Sequence, residues 1–189
     1  MEELKQRILK EGQVLKGDIL KVDAFLNHQV DSGLMRRMGE EFARRFAPLK
    51  PQKILTAEIS GIAPALQTGV ALDIPVVFAR KTRPVTMPAK AYERRVPSRT
   101  KGGETLLLVS PEYLKPRDRV IIIDDFLATG QTLNALANIV VEARASLLGF
   151  GVVVEKMFEH GRKALEEWHV PLEALVVIEQ MSERAIVFK

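Results

Sequence analysis

Two adjacent carboxylates, Asp124 and Asp125, follow four β-branched apolar residues, Val120-Ile121-Ile122-Ile123. Shortly after them comes a small, hydroxyl-rich run, Ala128-Thr129-Gly130-Gln131-Thr132. Neighbouring acids inside a fold cost stability unless they are solvated, paired or bound to a ligand. At the carboxyl end of a strand they can accept hydrogen bonds from a ribose diol, or hold Mg2+ through water. The run beyond them can wrap a monophosphate with backbone amides and the hydroxyls of Thr129 and Thr132. Gly130 allows close approach where a side chain would clash. Without a Walker lysine or a G-x-G-x-x-G, the stretch is neither a P-loop nor a dinucleotide site.

The elements that must hold these groups follow from the apolar pattern. Val120 to Ile123 reads as a strand buried on both faces, as in a parallel sheet, with the acids where it should emerge. Leu133, Leu136, Ala137, Val140 and Val141 then describe one face of a helix. Upstream, residues 2–12 read as a short helix, and Asp31-Ser32 caps an amphipathic helix over 33–47. Ile54 to Ile59 is an expected strand, followed by a Ser60-Gly61 turn and a helix through Ala63, Leu66 and Val70. Pro75 to Ala79 is a buried strand ending on Arg80-Lys81. Leu106 to Val109, Gly151 to Lys156, Leu175 to Ile178 and Ile186 to Phe188 complete the strands, with a short helix over Gly161 to Trp168. This alternation predicts an α/β fold: a central, mostly parallel sheet flanked by helices, in one domain spanning 1–189.

Charge is concentrated in one place. Arg80 to Lys101 holds eight lysines and arginines against Glu93 alone, in a chain whose net charge is +4. Such a segment is either a solvated loop or the seat of an anionic partner, a polyphosphate or a nucleic acid. Thr82 to Gly103 has no apolar periodicity and reads as one loop, long enough to be functional. Zero cysteines exclude disulfides and cysteine chemistry, fitting a reducing cytoplasm. No apolar run reaches the roughly 18–20 residues that span a bilayer, so no membrane is expected. His28, His160 and His169 lack metal-ligand spacing and read as surface residues, and no protein metal site is predicted.

The hydrophobic strand, Asp124-Asp125 and the Thr-Gly loop together resemble the signature of type I phosphoribosyltransferases for 5-phosphoribosyl pyrophosphate (PRPP). The resemblance implies that the acids hold the ribose hydroxyls and that residues 128–132 hold the 5′-phosphate. It implies that Ser60 and Gly61 form a pyrophosphate loop and that Arg80 and Lys81 are a basic pair on the pyrophosphate. It makes 82–103 a flexible loop closing over the site, which keeps water from the reactive sugar. Mg2+ would be bound mainly through PRPP. Asp124, Asp125 and Lys81 are the expected catalytic residues, with no general base assigned.

The segments Asp18 to Gln29, Pro75 to Lys81 and Val154 to Phe158 are similar to the xanthine-using branch of that family. That similarity implies a hood over the base from residues 1–32 and part of 156–189, with base contacts from Leu20, Asn27 and Lys156. Taken alone, Leu20 also fits a core position and Lys156 a solvated one. A lysine beside the base favours oxo-purines, and Asn27 can both donate and accept. The expected activity is purine salvage, phosphoribosyl transfer from PRPP to xanthine. Hypoxanthine or guanine as substrate, or a PRPP-sensing nucleic-acid regulator, are the alternatives. A nucleic-acid partner is disfavoured because the basic residues fall in the segment expected to cover the site. The resemblance also implies a homodimer.

Overall fold

The computed structural model describes residues 1–16, 18–97 and 102–189. In chain order these form α1 (Glu2–Glu11), β1 (Gln13–Leu15), β2 (Ile19–Lys21), α2 (Ser32–Phe46), β3 (Lys53–Ala57), α3 (Ile62–Leu72) and β4 (Val76–Ala79). There follow β5 (Tyr92–Pro97), β6 (Glu104–Val109), β7 (Arg119–Leu127), α4 (Gln131–Glu142), β8 (Ser146–Lys156), α5 (Gly161–Ala164), β9 (Leu172–Ser182) and β10 (Ala185–Phe188).

Six strands make the main sheet in the order β10-β9-β8-β7-β3-β4. All pairs are parallel except the β9–β10 hairpin. β7 sits inside the sheet because both of its faces are apolar. Ile121 and Ile123 join the core under α1, α2 and α3, while Val120 and Ile122 join the core under α4 and β6. All four are fully buried. Alternation along one strand thus binds two helical layers to a single sheet. α2 starts as its sequence foretells: Asp31 Oδ1 accepts a hydrogen bond from the Leu34 amide at 2.9 Å. Its buried face includes Leu34, Met38, Phe42 and Phe46. Among the described residues, no helix is long and apolar enough to cross a membrane.

Five details differ from the sequence reading. The strand expected to be buried at 75–79 is the sheet's edge, β4, with Phe78 39% exposed. β7 continues through both acids to Leu127, paired with β8 as far as Glu155, so the carboxylates belong to the strand's last turns of the ladder. β3 ends at Ala57, and Glu58 to Gly61 are turn, with a cis peptide between Glu58 and Ile59. Gly161 to Trp168 is not one helix but a four-residue α5 followed by a 3-10 turn, Glu166–Trp168. The 82–103 segment is not a single loop, for its residues 92–97 form β5, antiparallel to β6. Tyr92, Arg94 and Val96 alternate inward along β5, but only two of those three are apolar. Arg94 completes the pattern by pairing with Glu142 of α4 at 2.6 Å. Residues 98–101 of the expected loop lie outside the described residues.

Candidate active site

The carboxyl ends of β3, β4, β7 and β8 open onto one cavity of about 430 Å3. Parallel strands expose free backbone groups and helix N-termini at that edge, where ligands of open sheets bind. Twelve of the fourteen residues named from sequence line this cavity: Leu20, Asn27, Ser60, Lys81, Asp124, Asp125, Ala128, Thr129, Gly130, Gln131, Thr132 and Lys156.

The acids lie at its floor. Asp124 is 6% exposed. Burial first, and the Asp125 charge second, push its carboxyl well above the ordinary aspartate value, while Lys81 acts in the opposite direction. Asp124 Oδ1 accepts from the Asp125 amide at 3.0 Å, and Asp125 Oδ1 accepts from the Phe126 amide at 2.9 Å. Each carboxylate is therefore fixed by the next amide and keeps oxygens for a ligand. Gly61, absent from the cavity surface, explains how Asp124 fits. A Cβ there would sit 2.5 Å from Asp124 Oδ1 and 2.3 Å from Thr56 Oγ1.

Beyond the acids, Ala128 and Thr129 lead into α4. Gly130 has φ of 82°, a left-handed conformation that lets the chain turn into the helix. No side chain caps α4, and its first turn carries no acid. Its amide donors and positive dipole end therefore face the cavity beside Thr129 and Thr132.

The expected basic pair is split. Lys81 lines the cavity, whereas Arg80 lines a separate space of about 480 Å3. The Arg80 guanidinium lies 5.8 Å above the Phe78 ring, with Nε 2.8 Å from Glu58 Oε2. Glu58, which the sequence reading passed over, also accepts from the Lys81 amide at 2.6 Å.

At the other end, Lys156 is 6% exposed and donates to the Asp18 carbonyl at 2.5 Å. Its ammonium is 3.4 Å from Glu159 Oε1 and 5.6 Å from the Phe126 ring. Leu20 is both core and cavity wall, 5% exposed and packed with α1 and α2, so its two readings hold together. Ile19, Phe126, Val96, Pro97, Thr105 and Leu107 add apolar and hydroxyl wall that sequence reasoning missed. Phe126 alone had a signal, standing directly after the acids. Val96 and Pro97 reach the site through the β5–β6 pairing, which the sequence did not announce. No group of three or more His, Asp or Glu among the described residues is arranged to hold a metal.

Strand-end acids, an uncapped helix start and a small-residue turn thus meet at one cavity. Residues 23–176 fit the sequence model of the phosphoribosyl transferase domain. The chain belongs to the phosphoribosyltransferase family. A phosphoribosyltransferase of Deinococcus deserti, named xanthine phosphoribosyltransferase, is 54% identical over 183 residues, covering 97% of this chain and 95% of its own. One of the same name from Moorella thermoacetica is 49% identical over 188 residues, covering 100% and 96%. Among solved structures, adenine phosphoribosyltransferase from Thermoanaerobacter pseudethanolicus aligns with a TM-score of 0.76 and 24% identity over 93% of this chain and 98% of that one. The Giardia lamblia enzyme, complexed with 9-deazaadenine, gives 0.76 at 17% identity, covering 94% and 98%. Those structures speak for the phosphoribosyltransferase fold; the closer sequences speak to the base.

Proposed function

We propose that this chain is a cytoplasmic, homodimeric purine-salvage enzyme that transfers the 5-phosphoribosyl group of PRPP to xanthine, giving xanthosine 5′-monophosphate and pyrophosphate. The observation that carries the reading is the single cavity joining Asp124 and Asp125, the α4 N-terminus and Lys156. The near-full-length identity of 54% and 49% to proteins named xanthine phosphoribosyltransferase supports xanthine over hypoxanthine, guanine or a regulatory role.

The residues divide the work. Asp124 and Asp125 accept the ribose hydroxyls. Ala128 to Thr132 hold the 5′-phosphate with first-turn amides and two hydroxyls, an arrangement that helix geometry makes ready for an anion. Ser60 and Lys81 face the pyrophosphate, and Gly61 leaves the room that Asp124 needs beside them. As the bond from C1 to the pyrophosphate oxygen breaks, negative charge grows on the leaving group, and the Lys81 ammonium stabilises it. The carboxylates beside the sugar favour the positive charge developing there. Leu20 and Phe126 flank the base as apolar wall, Asn27 gives it a donor and an acceptor, and Lys156 donates to a base oxygen. Segment 82–103, with Val96 and Pro97 already at the wall, shields the sugar from water.

Phosphoribosyltransferases generally use Mg2+ with PRPP. Two adjacent carboxylates, one of them buried and protonated more readily than usual, fit a site that receives a cation or a diol, so Asp124 and Asp125 are the side chains that would face the ion. Bound there with PRPP, it would supply further positive charge to the pyrophosphate. What supports the homodimer is apolar surface on α3 and the neighbouring edge strand β4: Leu66, Val70 and Phe78 are 50%, 68% and 39% exposed.

Turnover of PRPP with xanthine, guanine, hypoxanthine and adenine tests the reading. Xanthine is expected to give the highest kcat/KM. Turnover of adenine alone would overturn it.

A further inference from the structure

Glu58 is among the residues lining the cavity that has to receive a pyrophosphate, an acid beside an anion's seat. It is not solvent-filled surface: its two oxygens hold the two members of the basic pair. Oε1 accepts the Lys81 amide at 2.6 Å and Oε2 lies 2.8 Å from Arg80 Nε. Its own amide donates to the Ala79 carbonyl at 3.1 Å, so the Glu58–Gly61 turn is stitched to the end of β4.

Arg80 is held by the same carboxylate outside that cavity. Its backbone cannot swing, because its amide and carbonyl exchange hydrogen bonds with Leu108, both 2.9 Å. Only its side chain is free to change rotamer. The contact with Glu58 is close in distance but poorly directed: Arg80 Nε is buried and makes no hydrogen bond among the described residues. A buried guanidinium donor left unfilled favours a better-placed acceptor. Phosphate oxygens accept from guanidinium with the directed, charge-assisted geometry that this pair lacks.

We propose that Glu58 is a positioning residue that competes with the pyrophosphate of PRPP for Arg80. In the free protein Glu58 parks Arg80 on Phe78, outside the cavity, while ordering Lys81 for the ligand. When pyrophosphate binds, Arg80 leaves Glu58 by rotation about its side-chain bonds and caps the anion. Glu58 thereby weakens PRPP and pyrophosphate binding, which sets how readily the product leaves. The proposal rests on the reading of the cavity as a PRPP site.

Glu58→Gln separates the two functions of the side chain, since the amide oxygen still accepts from the Lys81 amide while the negative charge that holds Arg80 is gone. The test is calorimetric titration with magnesium pyrophosphate, together with KM for PRPP and for xanthine. Glu58→Gln is expected to tighten pyrophosphate roughly two- to fivefold, the range of one partly exposed charge pair, and to leave KM for xanthine unmoved. In an Arg80→Ala background the same change should give less than half of that gain. A purely structural glutamate predicts the opposite sign, weaker binding of both substrates. Unchanged or weakened pyrophosphate binding in Glu58→Gln, or an equal gain without Arg80, overturns the proposal.

Nuclear magnetic resonance of the unaltered chain gives a check that does not depend on variants folding. The Arg80 Nε–H resonance, assigned by its loss in Arg80→Lys, should move on saturation with magnesium pyrophosphate. Binding without that movement overturns the proposal while the PRPP reading stands. No pyrophosphate binding and no PRPP turnover would remove both.

Discussion

Gly61→Ala is the substitution whose effect the geometry specifies most narrowly. The added methyl would lie 2.3 Å from Thr56 Oγ1, 2.5 Å from Asp124 Oδ1 and 3.1 Å from the Ala57 carbonyl. Ordinary contacts at a carbon begin near 3.5 Å, so the two side-chain oxygens have to retreat by roughly 1 Å. Neither has room, since Thr56 is fully buried and Asp124 nearly so. Overpacking of this kind costs about 1–3 kcal/mol. For a chain of this size that is a Tm lowered by about 2–12 °C. The larger effect falls on activity, because the displaced atom belongs to a carboxylate assigned to the ribose. A 1 Å misplacement predicts a loss of about 100-fold in kcat/KM for PRPP. Thermal melts and a coupled pyrophosphate-release assay measure both quantities. Adding Thr56→Ala removes one collision and leaves the other, so the double variant should regain Tm but not turnover. A Gly61→Ala protein with unchanged Tm and kcat/KM would refute the reasoning.

Other consequences are as direct. Asp124→Asn should cut PRPP turnover at least about tenfold while raising stability at neutral pH. The sign follows from the raised carboxyl: the folded protein binds this proton more tightly than the unfolded chain, so a penalty accumulates as pH climbs from about 3.9 towards the folded value. Denaturant melts should therefore show the gain of Asp124→Asn shrinking as pH falls to about 4. Lys156→Gln should raise KM for xanthine about tenfold or more, with KM for PRPP unchanged in steady-state kinetics. Arg162→Ala strands Glu155, whose side chain is 2% exposed and 2.5 Å from the half-exposed guanidinium, and should lower unfolding free energy by about 1–3 kcal/mol in urea. If the proposed dimer forms through α3 and β4, the unaltered chain should sediment as a dimer and Val70→Glu as a monomer.

Where local pattern and tertiary environment agree, the sequence was readable. Val120 to Ile123 announced a doubly buried strand because β-branched residues filled both faces, and Asp31 announced α2 because a cap is a local hydrogen bond. The cavity lining from Ala128 to Thr132 was readable for the same reason, being one uninterrupted turn into a helix. What escaped depends on pairing at a distance. β5 carries too few apolar residues to show a period, and its inward arginine is explained only by Glu142 on α4. The β1–β2 hairpin, three residues on each side, is too short for any periodicity. Arg80 and Lys81 looked equivalent because they are adjacent cations just past β4, and what separates them is Glu58, which holds the Arg80 side chain and the Lys81 amide. Gly61 stood out only as a small turn residue; its close approach to Asp124, from another strand, was invisible.

A crystal structure with xanthine and a non-reactive PRPP analogue tests the central claim most directly. The account predicts both ligands in the one cavity, the ribose hydroxyls on Asp124 and Asp125, the 5′-phosphate on the α4 N-terminus, and a base oxygen within hydrogen-bond distance of Lys156. A base bound away from Asn27 and Lys156, or a ribose that touches neither carboxylate, would contradict it.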